Sequence, residues 1–201
     1  VANTELTGDL AYGLGRAGAH VLAGEAHHMP RILVGKDTRR SCDMLEAALV
    51  AGICSAGADA VLAGVVPTPA VAWLLRAGGF DAGVVISASH NPAEFNGIKF
   101  FSGTGFKLPD ALESRIEDIL LDQKEEIPHP IGSRVGTVSQ MADAAQRYAE
   151  FAAGTVKGTL EGLKVAIDCA NGAASATAPM ALRALGAQVL VLNDAPDGMN
   201  I

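Results

Sequence analysis

The chain has 201 residues, 49% of them hydrophobic and 4% aromatic, with 23 glycines and a formal net charge of −7. So much apolar material excludes wholesale disorder, and an Ala/Val/Leu/Ile-rich core punctuated by glycine is the texture of an α/β protein. The negative balance excludes a general binder of nucleic acid or anionic membrane, though not a local cationic pocket for a small anion. No run approaches the ~20 apolar residues of a membrane span.

Thr7 precedes Leu10, Leu14, Ala17 and Val21 on one face, which predicts a capped helix over 8–23. R-I-L-V-G-K follows as a short strand and runs into the charged loop K-D-T-R-R. Ser41 is expected to cap a second helix that Gly57 ends. After the strand A-D-A-V-L-A-G comes P-T-P-A-V-A-W-L-L-R-A-G-G, in which Thr68 should cap and Pro69 take the first helical position. D-A-G-V-V-I-S alternates little, as expected of a strand covered on both faces. The loop S-A-S-H-N-P leads to another strand, G-I-K-F-F-S, which Lys107 and Leu108 could extend before a helix from Pro109 to about Leu121. Residues 123–138 concentrate prolines, glycines and charges, so the domain boundary is expected there. Beyond it the pattern predicts a helix near 141–153, a strand L-K-V-A-I-D, a helix near 173–185 and a strand A-Q-V-L-V-L-N. Alternating strands and helices on both sides imply a three-layer α/β/α domain with a mixed, largely parallel sheet over 1–138. The start of a second, similar domain is expected over 139–201.

Several motifs invite a functional reading. G-L-G-R-A-G (Gly13–Gly18) matches the dinucleotide fingerprint letter for letter, but that motif needs a strand before it, and here the glycines fall inside a helix already begun. The cofactor reading fails on context. The pair His27-His28 has no carboxylate or Cys at ligand spacing and reads as a surface linker rather than a metal site. Cys42, Cys54 and Cys169 form no C-x-x-C pair and read as buried thiols of a reducing cytoplasm. K-D-T-R-R lies between a strand and a helix N-terminus, where open α/β sheets place ligands. Lys36 and Arg39 are therefore candidates for holding phosphate; the alternative is that Asp37 and Arg39 pair and fix the loop.

S-A-S-H-N-P (Ser87–Pro92) lacks the small neighbours of a G-x-S-x-G nucleophile elbow, and adjacent Ser and His side chains in an extended loop diverge. Asn91-Pro92 would suit a plain turn. Lys99, ten residues after Ser89 and early in the next strand, could return toward the loop. A serine with a nearby cation at a sheet edge suits phosphoryl transfer, where positioning and charge stabilisation carry the rate.

S-A-S-H-N-P followed by N-G-I-K-F resembles the phosphoserine loop of the α-D-phosphohexomutase superfamily. G-K-D-T-R, M-L-E-A-A-L-V-A-G, S-A-G-A-D, V-P-T-P-A-V-A and D-C-A-N-G-A are similar to the bacterial phosphoglucosamine mutase family within it. The resemblance covers the whole chain. It implies a four-domain enzyme that interconverts glucosamine 6-phosphate and glucosamine 1-phosphate through a bisphosphorylated sugar, for cell-wall precursors. By that resemblance Ser89 carries the phosphoryl group, Lys99 is the candidate general acid/base, and His90 assists near the reacting phosphate. A lysine that accepts protons needs burial or neighbouring cations to lower its pKa. The resemblance also implies one Mg²⁺, held partly by the phosphoserine oxygen, a sugar-phosphate substrate, a cytoplasmic location and a homodimer through the first domain. The family's D-G-D-G-D-R metal loop and G-T-D-G-x-R-G segment do not occur here. The chain is accordingly expected to be an N-terminal fragment, inactive by itself. R-R-S-C-D stands where R-L-S-G is commoner, and A-E-F-N-G precedes Lys99 where an acidic residue often adjoins the asparagine. A phosphomannomutase or phosphoglucomutase of the same superfamily, or a non-catalytic sugar-phosphate-binding module, is the alternative.

Overall fold

The computed structural model describes residues 1–23, 28–122 and 125–201. Its first sheet has five strands: β1 (Arg31–Lys36), β2 (Asp59–Val65), β3 (Ala82–Ile86), β4 (Ile98–Ser102) and β5 (Val138–Gln140). They lie in the order β4-β3-β1-β2-β5, all parallel except the β3/β4 pair, which is antiparallel. Helices α1 (Gly8–Ala23), α2 (Ser41–Ser55) and α4 (Asp110–Asp122) cover one face. On the other lie α3 (Thr68–Gly78) and α5 (Ala144–Gly154). This is the expected three-layer architecture with a largely parallel sheet.

Alternation along the strands decides which layer each residue joins. Ile32 and Val34 of β1 point to α1 and α2, and Leu33 points to α3. All five residues of β3, in the middle of the sheet, are buried. Both faces of that strand are covered, and this is why its sequence does not alternate.

The glycines of G-L-G-R-A-G lie within α1, as the sequence context requires, and they serve packing. A Cβ on Gly15 would stand 2.1 Å from the Leu49 carbonyl oxygen of α2, and one on Gly52 would stand 2.1 Å from the Tyr12 carbonyl oxygen of α1. The two helices cross backbone to backbone at this reciprocal glycine contact.

Three local expectations need correction. Ser41 and Thr68 do not cap their helices: the capping positions are Arg40 and Pro67, without a side-chain cap bond. The Ser41 hydroxyl instead accepts a hydrogen bond from Asn96 Nδ2 (2.9 Å). By contrast, Thr7 Oγ1 does cap α1, accepting from the Leu10 amide. The boundary placed at 138/139 falls inside β5, which pairs with β2. Beyond it, Ala144 of α5 is buried in the α3 side of the core, and Phe151 stacks on Trp73 of α3 at 4.5 Å and 16°. Residues through α5 are thus tied to the first sheet.

A second sheet pairs β6 (Lys164–Asp168) and β7 (Gln188–Leu192) in parallel, connected by α6 (Thr177–Ala184). The helix begins later than the sequence suggests because residues 170–176 form turns. His27 lies outside the described residues, and His28 sits 3.1 Å from Asp81. Among the described residues no helix is long and apolar enough to cross a membrane.

Candidate functional site

The buried strand β3 ends at Ile86, and the chain leaves the sheet as an irregular loop before returning as β4. Two short internal turns organise it: the Asn91 amide donates to the Ala88 carbonyl (3.1 Å) and the Phe95 amide to the Pro92 carbonyl (3.1 Å). The turns supply no main-chain donor to the carbonyls of Ser89, Asn91 and Phe95 and only one to that of Pro92, so these groups look to other donors.

They find Arg39. Its side chain is fully buried, and Nε donates to Asp37 Oδ2 at 2.9 Å. Nη1 donates to the carbonyls of Pro92 and Phe95, and Nη2 to those of Ser89 (3.0 Å) and Asn91 (2.8 Å). A guanidinium has five N–H donors, and all five are used. Asp37 is likewise saturated: it accepts from the Arg39 amide and guanidinium, the Cys42 thiol and the Ser87 hydroxyl. Of the two readings of K-D-T-R-R, the geometry is that of the pairing one, and it leaves Arg39 no donor for a phosphate.

Lys36 is also committed elsewhere. Its ammonium donates to Asp43 (2.7 Å) and Glu46 (2.6 Å) of α2. Burial alone would lower its pKa, but those two carboxylates outweigh it and the net shift is upward. Neither of the expected phosphate ligands is free for that role in this arrangement.

Ser89 stands out in the loop. Its φ is +58°, a left-handed conformation uncommon for a residue with a Cβ, and its side chain is exposed. The Ser89 amide donates to Ser87 Oγ (3.1 Å), whose own hydroxyl donates to Asp37. Its hydroxyl lies 3.4 Å from His90 Nδ1. The two adjacent side chains, expected to diverge in an extended loop, meet here, where the Ser89 backbone is left-handed rather than extended.

Ser89, His90 and Asn91 face a cleft of about 470 Å³. The first turn of α3 and the turn after β6 (Cys169, Ala170, Gly172, Ala173) close its other sides. That second wall is fastened to the loop between β1 and α2: Thr38 Oγ1 donates to the Asn171 carbonyl (2.6 Å), and the Arg40 amide to the Gly198 carbonyl (3.0 Å). Ala170 and Asn171 both have φ +49°, and the Asn171 side chain ties the turn to Asn200 and Ala195. Hydrogen bonds from Asn193 and the Ala170 amide hold the Asp168 carboxyl below its ordinary value. The Asn-Gly dipeptide within D-C-A-N-G-A was the signal available for this turn.

Lys99 is not in the Ser89 cleft. It lies on β4 opposite Val85 and lines the adjoining cleft of about 620 Å³ with Phe101 and Lys107. Thr68, at the start of α3, borders both clefts. The Lys99 side chain is exposed and has no ion pair or hydrogen bond among the described residues, so its amine is free to meet a ligand.

The side chains of the described residues do not by themselves fit a resident metal ion. Among the described residues no three His, Cys, Asp or Glu side chains converge, and Asp37, the buried carboxylate beneath the loop, has four donors already. Cys42, against Asp37, is inert: burial, above all, pushes its thiol up to about 12.

Comparison with known proteins gives this geometry relatives. The family model described as phosphoglucomutase/phosphomannomutase, alpha/beta/alpha domain I, matches residues 1–127. Phosphoglucosamine mutases of Ruminiclostridium cellulolyticum and Acetivibrio thermocellus are 59% and 58% identical over the whole chain. The chain spans 45% of the length of each. Among solved structures, a phosphoglucomutase/phosphomannomutase family protein from Burkholderia thailandensis superimposes with a TM-score of 0.79 at 29% identity, over 97% of this chain and 42% of that one. The phosphoglucomutase parafusin from Paramecium, at 16% identity, a TM-score of 0.68 and coverage of 98% and 42%, shares the fold.

Proposed function

Since the chain belongs to the phosphoglucomutase/phosphomannomutase family, we propose that it carries the phosphoryl-bearing serine of a phosphoglucosamine mutase. The observation that supports this most directly is Ser89 itself. It is an exposed hydroxyl on a left-handed residue, at the end of a buried strand, on a loop whose carbonyls are held by one guanidinium.

In this reading Ser89 is phosphorylated at rest. A hydroxyl of the bound hexosamine phosphate attacks the phosphorus and the P–Oγ bond breaks. The hydroxyl proton passes to a base, for which Lys99 is the candidate, with His90 assisting near the reacting phosphate. The bisphosphorylated sugar then presents its other phosphoryl group. Ser89 Oγ takes that group, and the released sugar oxygen recovers a proton. Glucosamine 6-phosphate becomes glucosamine 1-phosphate with no net loss of phosphate. Lys99 occupies the neighbouring cleft, so the sugar must span the Thr68 edge for this amine to reach the reacting hydroxyl. Toward Mg²⁺ the oxygens of a phosphorylated Ser89 would be this chain's ligand, and no step is assigned to the ion. A second α/β domain beginning with β6 and α6, a homodimer through the first domain and a cytoplasmic location belong to the same proposal.

The glucosamine assignment draws on identities of 56–59% to proteins named phosphoglucosamine mutase, against 29% for the phosphoglucomutase/phosphomannomutase neighbour. Phosphopeptide mass spectrometry of the full-length protein should place one phosphate on Ser89. Ser89→Ala should abolish turnover, and glucosamine phosphate should be the fastest of the three hexose phosphates. Normal turnover in Ser89→Ala would refute the mechanism, and preference for a mannose or glucose phosphate would refute the substrate.

A further inference from the structure

We infer that Arg39 is the positioning residue of the Ser89 loop, acting on transfer through main-chain carbonyls rather than by touching substrate. Its catalytic consequence rests on the reading of Ser89 as phosphoryl carrier; its effect on the loop rests on geometry alone.

The Ser89 residue is gripped from both sides. Its amide donates to Ser87 Oγ, which is anchored on Asp37, and its carbonyl accepts from Arg39, which is anchored on the same Asp37 carboxylate. One buried ion pair therefore holds both hydrogen-bonding groups of a residue whose φ of +58° is unfavourable without such support. The remaining three guanidinium contacts pin the carbonyls of Asn91, Pro92 and Phe95, so the clamp reaches over the exposed tip of the loop. With 0% side-chain exposure Arg39 stands beneath the loop and presents no cation to the cleft, while Asp37, 4% exposed, reaches the cleft wall with its carboxylate already engaged. The pair is formally neutral, so the charge of a phosphoryl group on Ser89 is left to groups on the cleft side.

Lysine cannot substitute. Its ammonium has three donors on one point and lacks the planar five-donor fork that reaches two carbonyls on each terminal nitrogen. In Arg39→Lys the pairing with Asp37 can persist while the carbonyl contacts are lost, which separates positioning from charge.

The test uses the full-length protein with Arg39→Lys and Arg39→Ala. Hydrogen exchange should show amides of residues 88–97 exchanging at least about tenfold faster in Arg39→Lys, with β1 and β2 unchanged. Phosphoryl transfer from labelled Ser89 to glucosamine 6-phosphate should slow about 100-fold, with the loss in kcat and KM within about threefold, as expected when a reacting group is displaced by about 1 Å. Arg39→Ala should do the same more severely; if it fails to fold, Arg39→Lys carries both measurements. Wild-type exchange of the loop in Arg39→Lys, or a loss that falls on KM alone, would overturn the inference. Should the wild-type protein carry no phosphate, the mutase reading fails and the exchange measurement decides the loop inference by itself.

Discussion

Replacing Gly15 by alanine decides whether G-L-G-R-A-G is packing or something more. The added Cβ would lie 2.1 Å from the Leu49 carbonyl oxygen, 3.0 Å from its carbon and 3.2 Å from the Ile53 nitrogen. A carbon and an oxygen ordinarily approach to about 3.3 Å, so α1 and α2 must part locally by roughly 1 Å. The obstructing atoms are helix backbone and cannot rotate away, and Leu45, Leu49 and Ile53 between them are buried. Overpacking against such a wall costs about 3 kcal/mol. Alanine's better helix propensity returns about 1 kcal/mol, leaving a net loss of about 2 kcal/mol. For a chain this size that is a fall in Tm of about 4–8 °C, read by circular dichroism. Two companions calibrate it. Gly13 meets only the flexible Leu120 side chain and Gly154 meets nothing within 4 Å, so Gly13→Ala should be near neutral and Gly154→Ala slightly stabilising, by up to about 1 kcal/mol. A Gly15→Ala protein as stable as wild type would refute the argument, since propensity would then have outweighed the clash.

Cys42 should be nearly silent to thiol reagents in the folded protein. With burial raising its pKa to about 12, its thiolate fraction at pH 8 is about a thousandfold below that of a free thiol, before access is counted; alkylation followed by peptide mapping checks this, and labelling at the rate of a free cysteine would contradict it. The single tryptophan, Trp73, stacks on Phe151, which is 40% exposed. Phe151→Ala should red-shift its emission and lower stability by about 1–2 kcal/mol, and an unaltered spectrum would show that α5 does not rest on α3 in solution.

The strands of the first sheet were legible where apolar runs end in glycine or proline, and β3 was plain because it does not alternate at all. β5 was not. Its three residues, Val138–Gln140, are all exposed and carry no pattern; their strand character comes only from lying beside β2. Ser41 and Thr68 illustrate a different failure. Both are good capping residues, but a capping side chain is a local choice that a tertiary partner can override. Asn96, 55 residues away, takes the Ser41 hydroxyl.

Arg39 marks the deeper limit, and also a way past it. In K-D-T-R-R it reads as a solvated cation or an anion ligand, because it sits in a charged, polar stretch of sequence. Its real partners are main-chain carbonyls 50 to 56 residues away, and carbonyls are the same in every residue type. What the sequence does disclose is the demand for them. Ser87–Asn96 has proline and asparagine punctuation and no periodicity, so its carbonyls cannot all be met by a helix or a ladder. A loop of that kind, anchored at the end of a buried strand, calls for a donor with several N–H groups on one rigid frame, and arginine is the side chain that has them. The same reasoning separates the two arginines that end K-D-T-R-R. Arg40, exposed at the capping position of α2, has its backbone amide engaged by Gly198. Arg39, adjacent to it but directed inward, becomes part of the core. Charge alone could not have told them apart; an account of unmet carbonyls asks for one inward-facing guanidinium, and Arg39 supplies it.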